Sequence, residues 1–293
     1  MNRSNHRFLP IASLLVAATL WGLVWYPLRL LDEHGIGGLW SSLICYVAAL
    51  LPGLPWLRRS LPAWRENTVL MTLMVLSVGW CNVAFVLAVI DGTVVRVLLL
   101  FYLSPLWALI LGWVFLGEHP GRQGLLVFAL AVIGAVTMLW DPAMGMPWPR
   151  DTADWLAASS GLAFALTNVL VRRLHSVSVQ AKSAADWLGV AVVAGVWILL
   201  TGEPVPQADV TVWTGAVLLG WFGFMIMTVS VVYGVTHMPV HRSAVILLFE
   251  LVVGSVSALL LTDEHVLPQE WVGGALILSA AWLAARAQVG EKT

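Results

Sequence analysis

A single carboxylate, Glu250, interrupts a long apolar run that covers residues 241–262. A charged side chain at the centre of a membrane-length helix costs about 2.5 to 3.5 kcal/mol on insertion scales, so such residues are functional candidates by default. We expect Glu250 to line a cavity and either to pair with the amine of a ligand or to bind and release a proton. The alternative is a neutral acid that is hydrogen-bonded to a neighbouring helix.

Two tryptophans, Trp21 and Trp25, lie one helical turn apart in another apolar run and precede Pro27. An aromatic face attracts an ammonium group, so these rings suit an apolar, aromatic or cationic ligand. Pro27 removes one backbone hydrogen bond and favours a kink. The alternative for both rings is packing against neighbouring helices or lipid.

Further candidate binding residues are polar or aromatic side chains within apolar runs. Amide and hydroxyl groups need hydrogen-bond partners where water is absent. In a cavity, water and ligand would be these partners. In a contact between helices, the polar side chains would bond to one another. The candidates are Trp80, Asn82, Tyr102, Phe164, Asn168 and Tyr233.

Charged residues at the ends of apolar runs are candidate gate residues. Arg96 and Arg242 each begin a run, where a long side chain either extends to the membrane interface as an anchor or pairs across a gate. Glu118 and Glu264 each end a run and are predicted to form gating salt bridges. Pro105 interrupts the helical hydrogen bonding of its run and is a candidate hinge, with a static kink as the alternative.

A metal site is not predicted. The pairs Glu118-His119 and Glu264-His265 contain the side-chain types that bind metals. Adjacent residues on a helix cannot easily face one ion, and the two pairs are expected at opposite faces of a membrane. Cys45 and Cys81 lie in apolar runs and are expected to be inert core residues.

The composition excludes a soluble globular protein. The 293-residue chain is 60% apolar and only 11% charged, and its mean hydropathy is +0.88. A soluble domain carries about 25% charged residues, and a membrane-crossing helix needs about 20 apolar ones. The sequence therefore predicts an all-α polytopic membrane protein. Its ten predicted spans are residues 8–31, 37–57, 68–90, 94–116, 123–140, 154–174, 183–200, 211–236, 241–262 and 269–287.

The connections between spans carry their Lys and Arg residues mainly on one side, twelve against three. Positive charge in short connections marks the cytoplasmic side, so both termini are predicted to be cytoplasmic. The same asymmetry supports an even number of spans.

The chain also contains a repeat. A shift of 146 residues superposes Arg96 on Arg242 and Glu118 on Glu264, which predicts two five-helix units, residues 1–143 and 150–293. Because five is odd, the second unit crosses the membrane in the opposite sense. Inverted repeats are typical of secondary transporters, whose substrate site lies near the midplane between the repeats around a central cavity.

Other function classes lack their motifs. The sequence contains neither H-E-x-x-H nor G-x-S-x-G, and no G-x-x-x-x-G-K-[ST] loop. An enzyme and a nucleotide-driven pump are therefore not predicted, and no cofactor is expected. The predicted partners are a small-molecule substrate and the lipid bilayer, with no nucleic acid. Whether transport is coupled to protons stays open. A passive facilitator with the same architecture is an alternative.

Short motifs in the first unit resemble a known family. Leu103-Ser104-Pro105-Leu106, then Phe115-Leu116-Gly117-Glu118 and Gly134, resemble the EamA-type repeat of the drug/metabolite transporter superfamily. The second copy departs from it, since Leu251 stands in place of Pro105 and Ala280 in place of Gly134. The resemblance covers nearly the whole chain.

The resemblance implies a ten-helix transporter of small metabolites, often a bacterial exporter in the inner membrane. Its general appearance is similar to the YddG-like exporters of aromatic and other amino acids. Other members of the superfamily exchange sugar phosphates or nucleotide sugars, which is the second functional interpretation. Anionic phosphates would require several Lys or Arg at cavity depth, and Glu250 would repel them.

Overall fold

The computed structural model describes residues 5–92, 94–141, 149–261 and 267–290, and these are almost entirely helical. An α-helix satisfies its own backbone hydrogen bonds, which is required of a segment surrounded by lipid. The helices are α1 (Asn5–Leu23), α2 (Trp25–Glu33), α3 (Gly38–Glu66), α4 (Thr68–Asp91), α5 (Val94–Phe101), α6 (Ser104–Leu116), α7 (Arg122–Leu139), α8 (Thr152–Arg173), α9 (Val179–Thr201), α10 (Val210–Leu218), α11 (Met225–His237), α12 (Val240–Leu247), α13 (Phe249–Leu261) and α14 (Pro268–Gly290).

These helices form ten spans, and the predicted fold class is confirmed. The first span is α1 with α2, the fourth is α5 with α6, and the ninth is α12 with α13. The eighth joins α10 to α11 through a π-helical turn, Leu219–Phe224. Within the described residues, nine spans have the length and hydropathy of a membrane-crossing helix, and the 23-residue α14 is the tenth.

The two units pack as an inverted pair. The second span, α3, packs against its repeat mate α9, and the fifth, α7, packs against its mate α14. Helix α1 packs against α13, and their repeat mates α8 and α6 pack against each other in the same way. We call the membrane side on which α1 begins the near side and the opposite one the far side.

Helix α3 is longer than the second predicted span, residues 37–57, because it continues to Glu66 through Pro52, Pro55 and Pro62. Its apolar stretch of membrane length ends at Arg59, close to the predicted end. A proline in a helix leaves the carbonyl four residues earlier without its donor. At Pro52 that carbonyl belongs to Ala48, and the Trp221 indole Nε1 donates to it at 2.8 Å. A neighbouring span therefore replaces one of the bonds that the prolines remove.

The α7–α14 contact depends on two glycines. A Cβ at Gly134 would lie 2.8 Å from the carbonyl oxygen of Gly273, and a Cβ at Gly273 would lie 2.5 Å from that of Gly134. Real Cβ atoms do not approach backbone oxygens so closely. Small residues at such a crossing allow two membrane helices to approach at backbone distance.

We therefore expect Gly134→Ala to destabilise the protein by about 1–3 kcal/mol, the typical cost of overpacking a tight contact. Gly215 offers a matched control, because it is also helical and a Cβ there would meet nothing within 4 Å. Gly215→Ala should be neutral or stabilising, since Ala is the better helix former. Thermal unfolding of both variants in detergent measures the difference, and equal midpoints would contradict the close-packing explanation.

Candidate functional site

The fourth span is broken near its middle. Helix α5 ends at Phe101 and α6 begins at Ser104, with Pro105 in its first turn. Pro105 has no N–H to continue the helix, and the amide of Leu106 bonds to the Leu103 carbonyl at 2.9 Å instead. The kink predicted at Pro105 is therefore present.

The ninth span is broken at the same position of the repeat. Helix α12 ends at Leu247 and α13 begins at Phe249, and Leu248 between them corresponds to Tyr102 under the 146-residue shift. No proline is present here. The amide of Leu251 instead bonds to the Leu248 carbonyl at 3.1 Å, as Leu106 does to Leu103. Both units thus contain a discontinuous helix, although only one has the proline that predicts it.

Glycines on neighbouring spans bring two helices close to these breaks. A Cβ at Gly161 of α8 would lie 2.7 Å from the Phe101 carbonyl oxygen, and one at Gly22 of α1 would lie 2.7 Å from that of Glu250. The first span itself breaks at Val24, where Pro27 cannot donate to the Leu23 carbonyl. The interruption of helical hydrogen bonding that Pro27 predicts is therefore also present.

The two breaks face a small internal cavity. Its volume is about 10 Å³, which is room for about one water molecule. The Tyr102 hydroxyl donates a hydrogen bond to the Glu250 carboxylate at this cavity. The lining residues are Phe101, Tyr102, Ser104, Pro105, Ala108, Phe164, Ala244, Leu247, Leu248 and Glu250.

The cavity combines one carboxylate, two hydroxyls and three aromatic rings with otherwise apolar walls. The Phe101 and Phe164 ring centroids are 5.7 Å apart, and Ser104 is the repeat mate of Glu250. The carboxylate can accept hydrogen bonds from an ammonium group or hold a proton, while the rings and aliphatic walls suit an apolar side chain. Among the lining residues, Glu250 has the only ionisable carboxyl group, and none is a Lys, Arg or His.

The structure thus brings four predicted site residues together: Tyr102, Pro105, Phe164 and Glu250. The lining residues that sequence reasoning missed are Phe101, Ser104, Ala108, Ala244, Leu247 and Leu248. Ser104 was accessible to such reasoning, because it is the repeat mate of Glu250. The apolar lining residues carry no comparable signal in the sequence.

The other predicted binding residues lie outside this lining. The Trp21 ring makes an edge contact with Phe224 at 5.7 Å between centroids. Indole Nε1 of Trp25 donates to the Ser257 hydroxyl at 2.9 Å, and that of Trp80 donates to Ser159 at 3.2 Å. Each of these contacts joins spans from different units, and their role in binding stays a prediction.

Three more predicted residues are also separate from the cavity. Tyr233 stacks on His237 at the end of α11, with centroids 4.3 Å apart, so it lies towards the near side. Asn168 is buried in α8. The side-chain oxygen of Asn82 is buried and has no hydrogen-bond partner among the described residues. Their assignment to the substrate site also stays a prediction.

An ion pair joins the two units on the near side. Helix α6 ends with Gly117 in the left-handed conformation, and the Glu118 amide bonds back to the Gly112 carbonyl at 3.1 Å, the C-terminal motif that glycine favours. This turn places the Glu118 carboxylate 3.1 Å from Arg172 Nε and 2.8 Å from the Val240 amide. Glu118 therefore binds both the end of α8 and the first turn of α12.

A buried lysine supports this near-side pair. Arg172 donates to the Thr236 carbonyl at 2.7 Å, and Lys182 donates to the Thr236 hydroxyl at 2.6 Å. Lys182 is fully buried and also donates to the Val171 and Leu174 carbonyls, each at 3.1 Å. It thereby bonds to carbonyls at and just after the end of α8, where the regular helical hydrogen bonding stops. Sequence reasoning assigned Lys182 to a loop and missed this role.

A second ion pair joins the units on the far side. Arg96 of α5 donates through Nε to the Asp154 carboxylate at 2.7 Å, and the two residues are 8% and 2% exposed. Arg96 is thus paired with a residue of the other unit, and its role as an anchor or a gate residue stays a prediction. The Arg150 amide also donates to Asp154 at 2.9 Å. Asp154 was missed because its partner lies in another helix.

The remaining predicted gate residues are Arg242 and Glu264. Arg242 lines a larger near-side cavity, while Glu264 lies outside the described residues. No group of three or more potential metal ligands occurs in the part of the chain that the structure describes. The described geometry therefore consists of one central cavity between two helix breaks, with an interunit ion pair on each side.

Two five-helix units in inverted orientation, with interrupted helices meeting at a central cavity, are an arrangement found in transporter folds. Comparison with known proteins identifies the family. The EamA-like transporter family model matches residues 9–140 and again residues 151–286. The chain belongs to the EamA-like transporter family.

Structural comparison supports the same fold. A solved protein crystal structure with 16% sequence identity superposes with a TM-score of 0.76 over 100% of both chains. No curated protein matches the sequence at a significant level.

Proposed function

We propose that the protein is a secondary carrier that exports amino acids or closely related amines, including aromatic and apolar ones. The observation that carries this proposal is the Glu250 carboxylate, held by Tyr102 in an otherwise apolar and aromatic cavity between two helix breaks. The carboxylate would bind the ammonium group of the substrate, and Phe101 and Phe164 would contact its side chain.

The same lining disfavours the alternative sugar-phosphate exchanger. Recognition of a phosphate uses Arg or Lys donors, and the described lining of the central cavity has neither. Arg96 and Arg172 lie at the two sides of the membrane and are engaged by Asp154 and Glu118. A phosphate in the cavity would instead meet the Glu250 carboxylate.

The two ion pairs provide a mechanism for alternating access. The central cavity is too small for an amino acid, so the spans must separate before a substrate binds. Opening the Glu118–Arg172 pair would release α6 from α8 and α12 and connect the cavity to the near side. Opening the Arg96–Asp154 pair would release α5 from α8 on the far side. Opening one pair at a time distinguishes a carrier from a passive pore.

We place the protein in a bacterial inner membrane with both termini, and therefore the near side, in the cytoplasm. The excess of Lys and Arg in the near-side connections supports this orientation. The outward-facing apolar residues, among them Leu126 and Leu199, support contact with lipid. In this orientation, export moves substrate from the near side to the far side.

Counterflow in proteoliposomes tests the proposal. Labelled amino acids of aromatic, aliphatic, acidic and basic types would be offered to vesicles preloaded with the unlabelled compound, with sugar phosphates and nucleotide sugars as a second panel. We expect saturable uptake of aromatic or apolar amino acids, accelerated by internal substrate. Uptake of the phosphates alone would contradict the substrate class, and uptake without acceleration would contradict the carrier mechanism.

A further inference from the structure

A second and much larger cavity opens at the near side. It has a volume of about 710 Å³ and lies between the α6–α7 connection, α7, α12 and α14. It shares no residue with the lining of the central cavity. Its lining is Glu118, His119, Pro120, Gly121, Arg122, Gln123, Gly124, Val127, Pro239, His241, Arg242, Val245, Ala284 and Arg286.

The cavity lining is rich in arginine. Three arginines, Arg122, Arg242 and Arg286, come from three different helices. The acid in the lining, Glu118, already accepts hydrogen bonds from Arg172 and from the Val240 amide. Its charge is therefore largely balanced by Arg172, which is not part of the lining. The cavity is suited to an anion with several acceptor oxygens.

The surroundings of the cavity are those of the membrane surface. The Arg286 guanidinium lies over the Trp282 ring, 3.7 Å from its centroid, and this ring is 54% exposed. Leu125 and Leu126, which lie between the lining residues Gly124 and Val127 in α7, are also exposed. A molecule bound here would thus have cations around its head and an exposed apolar surface along its tail.

We propose that this near-side cavity binds the phosphate headgroup of an anionic phospholipid. Phosphate chemistry is shared by lipids and by soluble phosphates, but only a lipid uses both the arginines and the adjoining apolar surface. Basic pockets between membrane helices are known to accept such headgroups. Arg122 and Arg286 would contact the phosphate oxygens, and the acyl chains would lie along Leu125, Leu126 and Trp282. The proposal is independent of the transported substrate.

Thermal-shift titration of the purified full-length protein in uncharged detergent tests this site. The probes are phosphatidylglycerol, phosphatidylcholine and soluble glycerol 1-phosphate. A ligand that binds the folded protein raises its unfolding midpoint, and we expect this only with phosphatidylglycerol. The variant Arg122→Gln/Arg286→Gln should bind it about thirtyfold more weakly, since each cation near a charged membrane surface contributes about fivefold.

Two further variants keep the test decisive. Arg58→Gln/Arg59→Gln removes two exposed near-side cations of α3, away from the cavity, and should retain the shift. Arg122→Lys/Arg286→Lys keeps the charge and should retain most of it. An equal rise of the unfolding midpoint with phosphatidylcholine would overturn the proposal. A rise with phosphatidylglycerol that is unchanged in Arg122→Gln/Arg286→Gln would also overturn it. An equal shift with glycerol 1-phosphate would overturn the lipid as the source of the phosphate.

Discussion

Replacing Glu250 with glutamine is expected to lower the counterflow rate of an amino-acid substrate by about 10–100-fold. The glutamine keeps the shape of the side chain and a hydrogen-bond acceptor for Tyr102, but it removes the charge that would bind an ammonium group. A hydrogen bond to a charged group contributes about 1.5–3 kcal/mol, which corresponds to this range. The measurement is initial counterflow in proteoliposomes at equal protein content.

Glu203 provides the control for this prediction, because it is an exposed acid in the α9–α10 connection. Glu203→Gln should transport at the wild-type rate. Tyr102→Phe, which leaves the carboxylate without its hydroxyl partner, should have a smaller effect than Glu250→Gln. A Glu250→Gln variant with the wild-type rate and pH profile would show that the carboxylate does not take part in transport.

The Asp154→Asn substitution is expected to destabilise the protein by about 1.5–3 kcal/mol, the usual contribution of hydrogen bonds to a charged group, because Arg96 Nε donates to this carboxylate. Arg96 is 8% exposed and would keep its charge beside a neutral amide. The Arg150 amide, which donates to the same carboxylate at 2.9 Å, would also face a weaker acceptor. Denaturant or thermal unfolding in detergent measures the loss.

An exposed ion pair serves as the matched control. Arg29 and Glu33 are 3.0 Å apart, with side chains 55% and 52% exposed, and such pairs contribute about 0–1 kcal/mol. Glu33→Gln should therefore have little effect on stability. The double variant Arg96→Met/Asp154→Leu should recover much of the loss, because it removes both buried charges. An Asp154→Asn protein as stable as Glu33→Gln would contradict the importance of the far-side pair.

The spans and their symmetry could be predicted because they depend on local properties of the chain. Apolar length identifies a helix in lipid, and an odd number of spans in each unit requires inversion. Pro27 and Pro105 predicted breaks for the same reason, because a proline removes a backbone hydrogen bond within its own helix. The extension of α3 could not be predicted, because the compensating donor at Ala48 comes from Trp221, in the eighth span.

The partners of the charged residues were less accessible to sequence reasoning. Arg96 has the position of an interfacial anchor, and only the packing of α5 against α8 brings it to Asp154. Lys182 likewise falls at a predicted loop and becomes a buried donor because α9 begins earlier, at Val179. The break at Leu248 carries no proline, and the sequence did not predict it. These features depend on contacts between helices rather than on any one segment.

The proposed transport cycle requires the cavity between the helix breaks to open to one side at a time. Labelling of Ser104→Cys with a membrane-impermeant thiol reagent tests it most directly, in sealed vesicles of a variant that also carries Cys45→Ala and Cys81→Ala. We expect Glu118→Gln to raise near-side labelling roughly tenfold, since a hydrogen bond to a charged group contributes at least about 1.4 kcal/mol. Far-side labelling should fall, and substrate should protect the thiol. Labelling that rises from both sides together, or that is unchanged in Glu118→Gln, would contradict alternating access.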